Sequence, residues 1–310
     1  MQNRQLTDTN QGQIIDTLKT AIITALLRIL SWIPLRALHK IADGVGTLVY
    51  LLPTETRRVT LINLRTAFPE MPEQERLQLA KRSIRETIKT GFELGHIWYG
   101  SLEHVLNLIK DVRGLEHVRA AQSSGQGIIY AAPHLGSWEL LGMYVSSLGP
   151  LTTLYKPPKI KGLNDLIASS RAKAGAELVA TDRHGVVRLT RTLQQGGATG
   201  ILPDQQPRQD GGVFAPFFGK PAFTMTLLPK LAARTNALVL FTYAERLPQG
   251  QGFNVVFVPA DADISNDDPV LAAAALNRSV EQVVRAVPSQ YQWEYKRFRK
   301  RPEEDPTPVY

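Results

Sequence analysis

The stretch GQGIIYAAPHLGSWELLGM, residues 125–143, decides how the rest of the chain is read. Gly127 to Ala132 is an apolar strand, and Pro133 turns it into a helix that begins near Gly136 and runs past Leu141. His134 sits in that turn and Glu139 follows five positions later. On a regular helix five residues turn through about 500°, which leaves two side chains about 140° apart. A metal pair on a helix needs a spacing of three or four, and no second histidine lies near His134. The spacing therefore favours a non-metal arrangement, in which His134 hangs off the strand end and Glu139 reaches back to it from the first turns. A carboxylate on one ring nitrogen fixes the tautomer and steadies the imidazolium that forms when the other nitrogen takes a proton. The plainer alternative is a histidine that caps or packs in a strand-to-helix turn.

The sequence supplies no nucleophile beside this pair. It has no GxSxG elbow and no cysteine, so the simplest partner for a base is a hydroxyl on the substrate. The absence of cysteine also excludes disulfides, thiolate catalysis and cysteine-ligated metals.

At 310 residues with 43% hydrophobic content the chain can bury a sizeable core. A mean hydropathy of −0.14 excludes a polytopic membrane protein. The net charge of +8 suits an anionic partner. Nucleic acid is disfavoured, because the basic residues are dispersed, no nucleic-acid motif appears, and the densest cluster, Lys296 to Arg301, lies at one end. Anionic lipid and an acidic carrier protein explain the charge equally well.

In chain order, Met1 to Gln13 is polar and reads as loose. Thr20 to Leu35, TAIITALLRILSWIPL, is strongly apolar but broken by Arg28 and closed by Pro34. A span needs about 20 apolar residues and a central arginine costs roughly 2.5–3.5 kcal/mol, so a tilted, snorkelling anchor or an in-plane helix is expected. A soluble domain's buried first helix is the alternative. If the segment spans, the basic residues that follow it (Arg36, Lys40, Arg57, Arg58, Arg65) place the body of the protein in the cytoplasm. Ile41 to Leu52 extends the apolar surface, which gives an anchoring region over residues 1–52 and a catalytic domain over 53–310.

Glu73 to Gly100 carries apolar residues at helical spacing and is assigned no chemistry. From Asp111 onward helical and strand patterns alternate, which predicts an α/β domain with a mostly parallel sheet flanked by helices. Ligands of such sheets gather at the carboxyl ends of the strands. His134 follows one predicted strand, Tyr155 and Lys156 the next, and Asp204, in the stretch PDQQP, another.

With these residues in place the chain resembles the late acyltransferases of lipid A biosynthesis, the lauroyl/myristoyl transferase branch of the lysophospholipid acyltransferase superfamily. His134 and Glu139 match the H-x4-D/E motif. In the same order follow YKPPK at Tyr155 to Lys159, Asn164 with Arg171 and Gly175, PDQQ at Pro203 to Gln206, FFGKPAFT at Phe217 to Thr224 and QYQWEYKRFRKRP at Gln290 to Pro302. The likeness runs from about Thr20 to Pro302.

The resemblance implies transfer of a fatty acyl group from acyl carrier protein to a hydroxyl of a lipid A precursor, at the cytoplasmic face of the bacterial inner membrane, with no metal and no cofactor. It implies His134 as general base oriented by Glu139, and substrate contacts from Lys156, Asn164, Arg171 and Asp204. A thioester is already activated, so the residues must supply a base, oxyanion stabilisation and positioning. Backbone N–H groups near Gly136 or the Arg171 guanidinium fit the oxyanion role. Arg171 equally fits a lipid phosphate or a plain surface charge. Asp204 would orient Arg171 or the sugar, or simply shape a turn. The stretch FAPFFGKPAF would line an acyl groove or form a core loop, and Lys296 to Arg301 would meet the carrier protein or headgroups, or be a solvated tail. Two other classes fit the same residues: a hydrolase in which the pair activates water, and a non-catalytic, membrane-associated lipid-binding protein with a structural His134.

Overall fold

The computed structural model describes residues 2–158, 160–208 and 210–310, with side chains from residue 16 onward. Lys159, the last residue of YKPPK, lies outside them, as does Met1 of the polar N-terminal stretch. Four helices come first: α1 (Gln2–Trp32), α2 (Leu35–Leu51), α3 (Glu55–Ala67) and α4 (Glu73–Tyr99). The backbone is thus helical from Gln2 rather than loose, since no proline or glycine interrupts residues 2–11. Then follow α5 (Leu102–Asn107), β1 (Ile109–Arg113), α6 (Leu115–Ser123), β2 (Ile128–Ala131), α7 (Trp138–Ser147), β3 (Leu151–Tyr155), α8 (Asn164–Ala172), β4 (Ala176–Ala180), α9 (Arg183–Gln194) and β5 (Ala198–Ile201). A hairpin, β6 (Gly212–Phe217) and β7 (Lys220–Met225), precedes α10 (Leu227–Thr235), β8 (Leu238–Arg246), β9 (Phe253–Pro259) and α11 (Pro269–Ala286).

Seven strands form one sheet in the order β1-β9-β8-β2-β5-β3-β4. Every neighbouring pair is parallel except β8 with β9. The expected α/β architecture with a mostly parallel sheet is therefore present. Its core is read from strand periodicity. In β2 and β8, Ile129, Ala131, Val239, Phe241 and Tyr243 point to one face and pack with α9, α10 and α11. Their neighbours Ile128, Tyr130, Leu240 and Ala244 point to the other and pack with α6, α7 and α8. Both faces are apolar because both are covered by helices, which is why these strands read as unbroken apolar runs.

The helix α4 joins the two layers, with Leu79 and Ala80 in one cluster and Ile97 and Trp98 in the other. Leu27, Leu30 and Leu38 of α1 and α2 are buried in this second cluster. The opposite faces of these two helices are not covered: Leu18, Ile22, Leu26, Ile29 and Trp32 on α1, and Ile41, Val45, Leu48 and Leu51 on α2, are exposed. No helix of the described residues is long and apolar enough to cross a membrane.

Two stretches correct the sequence reading. FFGKPAFT is a hairpin rather than a loop, and Phe217, Phe218, Ala222 and Phe223 are core residues. Its two-residue turn, Phe218 and Gly219, has φ of 47° and 71°, the left-handed pair of a tight hairpin turn. In the basic stretch, Arg297 is buried on Phe223 O, Thr224 and Asn277, Lys296 pairs with Glu55 and Arg301 with Asp305. Most of this cluster braces the fold, because each of these cations is matched by an internal acceptor.

The turn after β2 depends on Gly136. Its φ is 64°, and a Cβ there would lie 2.0 Å from Ala244 O. Gly142, in α7, has nothing within 4 Å of an added Cβ. Gly136→Ala is expected to destabilise the protein by about 1–3 kcal/mol, whereas Gly142→Ala should stabilise it by about 0.5–1 kcal/mol. Urea unfolding of both variants checks the contrast.

Candidate active site

The strands β2 and β5 are parallel neighbours, paired from Ile128 with Ala198 to Ala131 with Ile201, and Ala132 N continues the ladder to Ile201 O at 2.8 Å. The chain leaves both strands at the same level. The same offset of 70 residues, carried just past the strand ends, sets His134 opposite Asp204. His134 Nδ1 lies 2.9 Å from Asp204 Oδ1, and the His134 backbone N–H donates to Oδ2 at 3.0 Å. The carboxylate holds both the ring and the backbone of one residue. The Asp204 side chain is 3% exposed and the His134 ring 14%. Burial on its own would push the Asp204 carboxyl up; the attraction of His134 and the hydrogen bonds from its ring and backbone outweigh this and hold it below the ordinary aspartate value.

This differs from the pairing expected from H-x4-E. Glu139 lies in the first turn of α7 and accepts from Arg171 Nη2 at 2.5 Å, from Arg171 Nε at 3.4 Å and from Trp98 Nε1 at 3.3 Å. The acid on the His134 ring is Asp204, and Glu139 holds Arg171. The reason is direction: the bend at Gly136 and Ser137 separates the turn from the helix, and Glu139 is turned towards α8 and the end of α4. Asp204, expected on Arg171 or a sugar, faces His134 instead.

The other expected site residues form a second chain of contacts. The Arg171 guanidinium carbon lies 5.5 Å from the centre of the Tyr155 ring, and Tyr155 Oη donates to Asn164 Oδ1 at 3.0 Å. Asn164 thus supports a ring beneath Arg171. Lys156, at the end of β3, is exposed. Sequence reading missed Trp138, whose ring meets His134 edge-on with centres 5.1 Å apart, and Gln205, whose Nε2 lies 3.2 Å from His134 Nε2. It also missed the support from the C-terminal segment: Gln292 N donates to His134 O at 3.1 Å and Gly136 N to Gln290 O at 3.0 Å. The only signal for Gln205 was its place beside Asp204 in PDQQ.

A cavity of about 130 Å³ runs beside the pair. Ala132 and Trp138 line it near His134, Glu139 and Arg171 supply its charged wall, and Leu141, Met143, Val145 and Leu154 make it mainly apolar. Gly142 and Gly200 also face it, so part of its wall is bare backbone. The expected acyl groove of FAPFFGKPAF is not this cavity, since Phe217 and Phe223 are packed in the core on the opposite side of the sheet from α7.

A histidine with its outer nitrogen towards the cleft, an acid fixing its inner nitrogen, an ion pair and a narrow apolar cavity together suit transfer of an acyl group. Residues 11–300 match the family described as bacterial lipid A biosynthesis acyltransferase, and the chain belongs to that family. It is an acyltransferase of lipid A biosynthesis. It is similar to the lipid A biosynthesis lauroyltransferase of Escherichia coli strain K12, 26% identical over 276 residues that cover 89% of each chain. A lipid A biosynthesis acyltransferase of Haemophilus influenzae is 27% identical over 268 residues, 86% of this chain and 83% of that one. The lipid A biosynthesis palmitoleoyltransferase of Escherichia coli strain K12 is 25% identical over 241 residues, 77% of this chain and 78% of its own.

The Asp204 carboxyl has a depressed value when folded, so its stabilising effect is present above the ordinary value near about 3.9 and disappears as pH falls through the folded value. Asp204→Asn is expected to lower kcat by about 10²–10⁴. Wild-type stability should also fall relative to this variant as urea unfolding is moved from neutral pH to below about 4. Equal pH dependence of the two proteins contradicts the assignment.

Proposed function

We propose that the protein transfers a fatty acyl chain from acyl carrier protein to a hydroxyl of a lipid A precursor that already carries acyl chains. The observation that carries this reading is the Asp204–His134 pair beside an apolar cavity whose charged wall is Glu139 and Arg171. Asp204 accepts from Nδ1, so His134 Nε2 offers a lone pair to the acceptor hydroxyl. The hydroxyl proton passes to Nε2 as its oxygen attacks the thioester carbonyl. The C–S bond then breaks, and the thiolate leaves with the proton from His134.

Charge on the carbonyl oxygen needs a donor. The Gly136 and Ser137 amides, one candidate, are committed to Gln290 O and Ala244 O. Arg171 remains, presented by Glu139, Tyr155 and Asn164, and we assign it the oxyanion. Glu139 then acts on Arg171 rather than on the base. Lys156, Arg208, Arg299 and Lys300, at the same end of the sheet, provide positive charge for an acidic carrier protein.

The exposed apolar faces of α1 and α2 are assigned to the inner membrane's cytoplasmic surface, with the helices lying in its plane. The exposed cations Lys19, Arg36 and Lys40 beside them suit anionic headgroups.

The reading is tested by mass spectrometry of lipid A from a Gram-negative strain lacking its late acyltransferases. Wild-type protein should add one acyl increment or more, and His134→Ala at equal expression should add none. An increment from both proteins removes His134 as base. Gly142→Leu should shift the increment to a shorter chain, since the new side chain projects into the cavity. In a separate measurement, serine at Leu26, Trp32 and Leu48 together should reduce binding to vesicles containing anionic lipid by at least about tenfold; unchanged binding contradicts the in-plane assignment.

A further inference from the structure

The nitrogen that the proposed reaction needs is already occupied by the protein. Asp204 is ionised and can only accept, so the hydrogen of the neutral imidazole sits on Nδ1 and Nε2 carries the lone pair. The Gln205 side-chain amide faces that lone pair, with Nε2 to Nε2 at 3.2 Å. The same amide nitrogen lies 3.5 Å from Gln292 Oε1. One NH₂ group therefore spans the base and a second acceptor, and an acceptor hydroxyl can reach Nε2 only if that group moves.

We infer that Gln205 is a removable stopper on the base, which keeps water from being activated at His134 Nε2 until the acceptor hydroxyl displaces it. This rests on the acyl-transfer reading above. The backbone around Gln205 is fixed, because Asp204 is held by His134 and the Gln206 N–H donates to Tyr295 Oη at 2.9 Å. Among the described residues the Gln205 side chain is held by two long, neutral hydrogen bonds, which are weak. The displaced amide keeps a resting acceptor in Gln292 Oε1. Gln292 is itself steadied, since its backbone N–H donates to His134 O and its side chain bonds to Glu294, which accepts from Thr87 Oγ1 on α4. The base, the stopper and its resting place are thus linked from the end of β5 to α4.

The test supplies a long-chain acyl thioester of acyl carrier protein, with and without a lipid A precursor, to wild type, Gln205→Ala and Gln292→Ala. Free fatty acid and transferred acyl chain are measured. In Gln205→Ala the ratio of hydrolysis to transfer should rise by about tenfold or more. Gln292→Ala, which leaves the stopper less firmly seated, should raise the same ratio by a smaller factor. An unchanged ratio in Gln205→Ala overturns the inference while leaving the acyltransferase reading intact. Parallel loss of both products in Gln205→Ala, with no change in their ratio, makes Gln205 structural and also overturns it. If wild type forms neither product, the acyl-transfer reading itself falls and the inference with it.

Discussion

The register of β2 against β5 is the constraint on which the site depends. Parallel strands exchange evenly spaced hydrogen bonds, so two neighbours that stay in step end together. Ala131 opposite Ile201 therefore commits the residues just beyond to face one another, and these are His134 and the carboxylate of Asp204. A slip by one residue would turn the side chains of β2 to the wrong faces and part the pair at once. The apolar residues on both faces prevent that slip, which makes the core's packing the guarantor of the chemistry.

A second element holds the turn from behind. Arg246 is buried at the end of β8, where it donates to both oxygens of Glu93 and to Glu86 and Thr90 on α4. Burial would raise the Glu93 carboxyl, but Arg246, with help from His39, holds it at about 2. Thr90 Oγ1 in turn donates to Gly136 O at 3.3 Å. The buried charges are costly to place, and their return is orientation: β8, α4 and α2 are fixed at the point where the chain bends around Gly136.

Much of the layout was legible in the sequence. Apolar strands alternating with amphipathic helices gave the α/β sheet, because burial on both faces writes itself into residue type. His134, Asp204, Tyr155 and Lys156 could be placed at strand ends by the same reasoning. The sequence could not say which acid meets the histidine. Glu139 was near in the chain and Asp204 was far, and only strand order and register decide between them. Phe218 and Gly219 lacked the usual asparagine-glycine signal of a tight hairpin. The left-handed Phe218 is held there by packing on Phe217 and by Glu281, which accepts from its backbone N–H at 2.7 Å. The short strand β1, with charges at Lys110, Asp111 and Arg113, has an alternation too brief to distinguish from a loop.

The segment after α11 returns to the turn that carries His134, pairing Tyr291 with Leu135 and satisfying Gly136 and His134 through its backbone. The surroundings of His134 are thus completed by pieces that lie far apart along the polypeptide. Contacts between such distant pieces are the slow ones to form, since each must first close a long loop. A chain that has collapsed but not finished folding holds the histidine without its acid, its bend or its strap. Acyltransferase activity then arrives together with the native state, and an immature chain carries none of it.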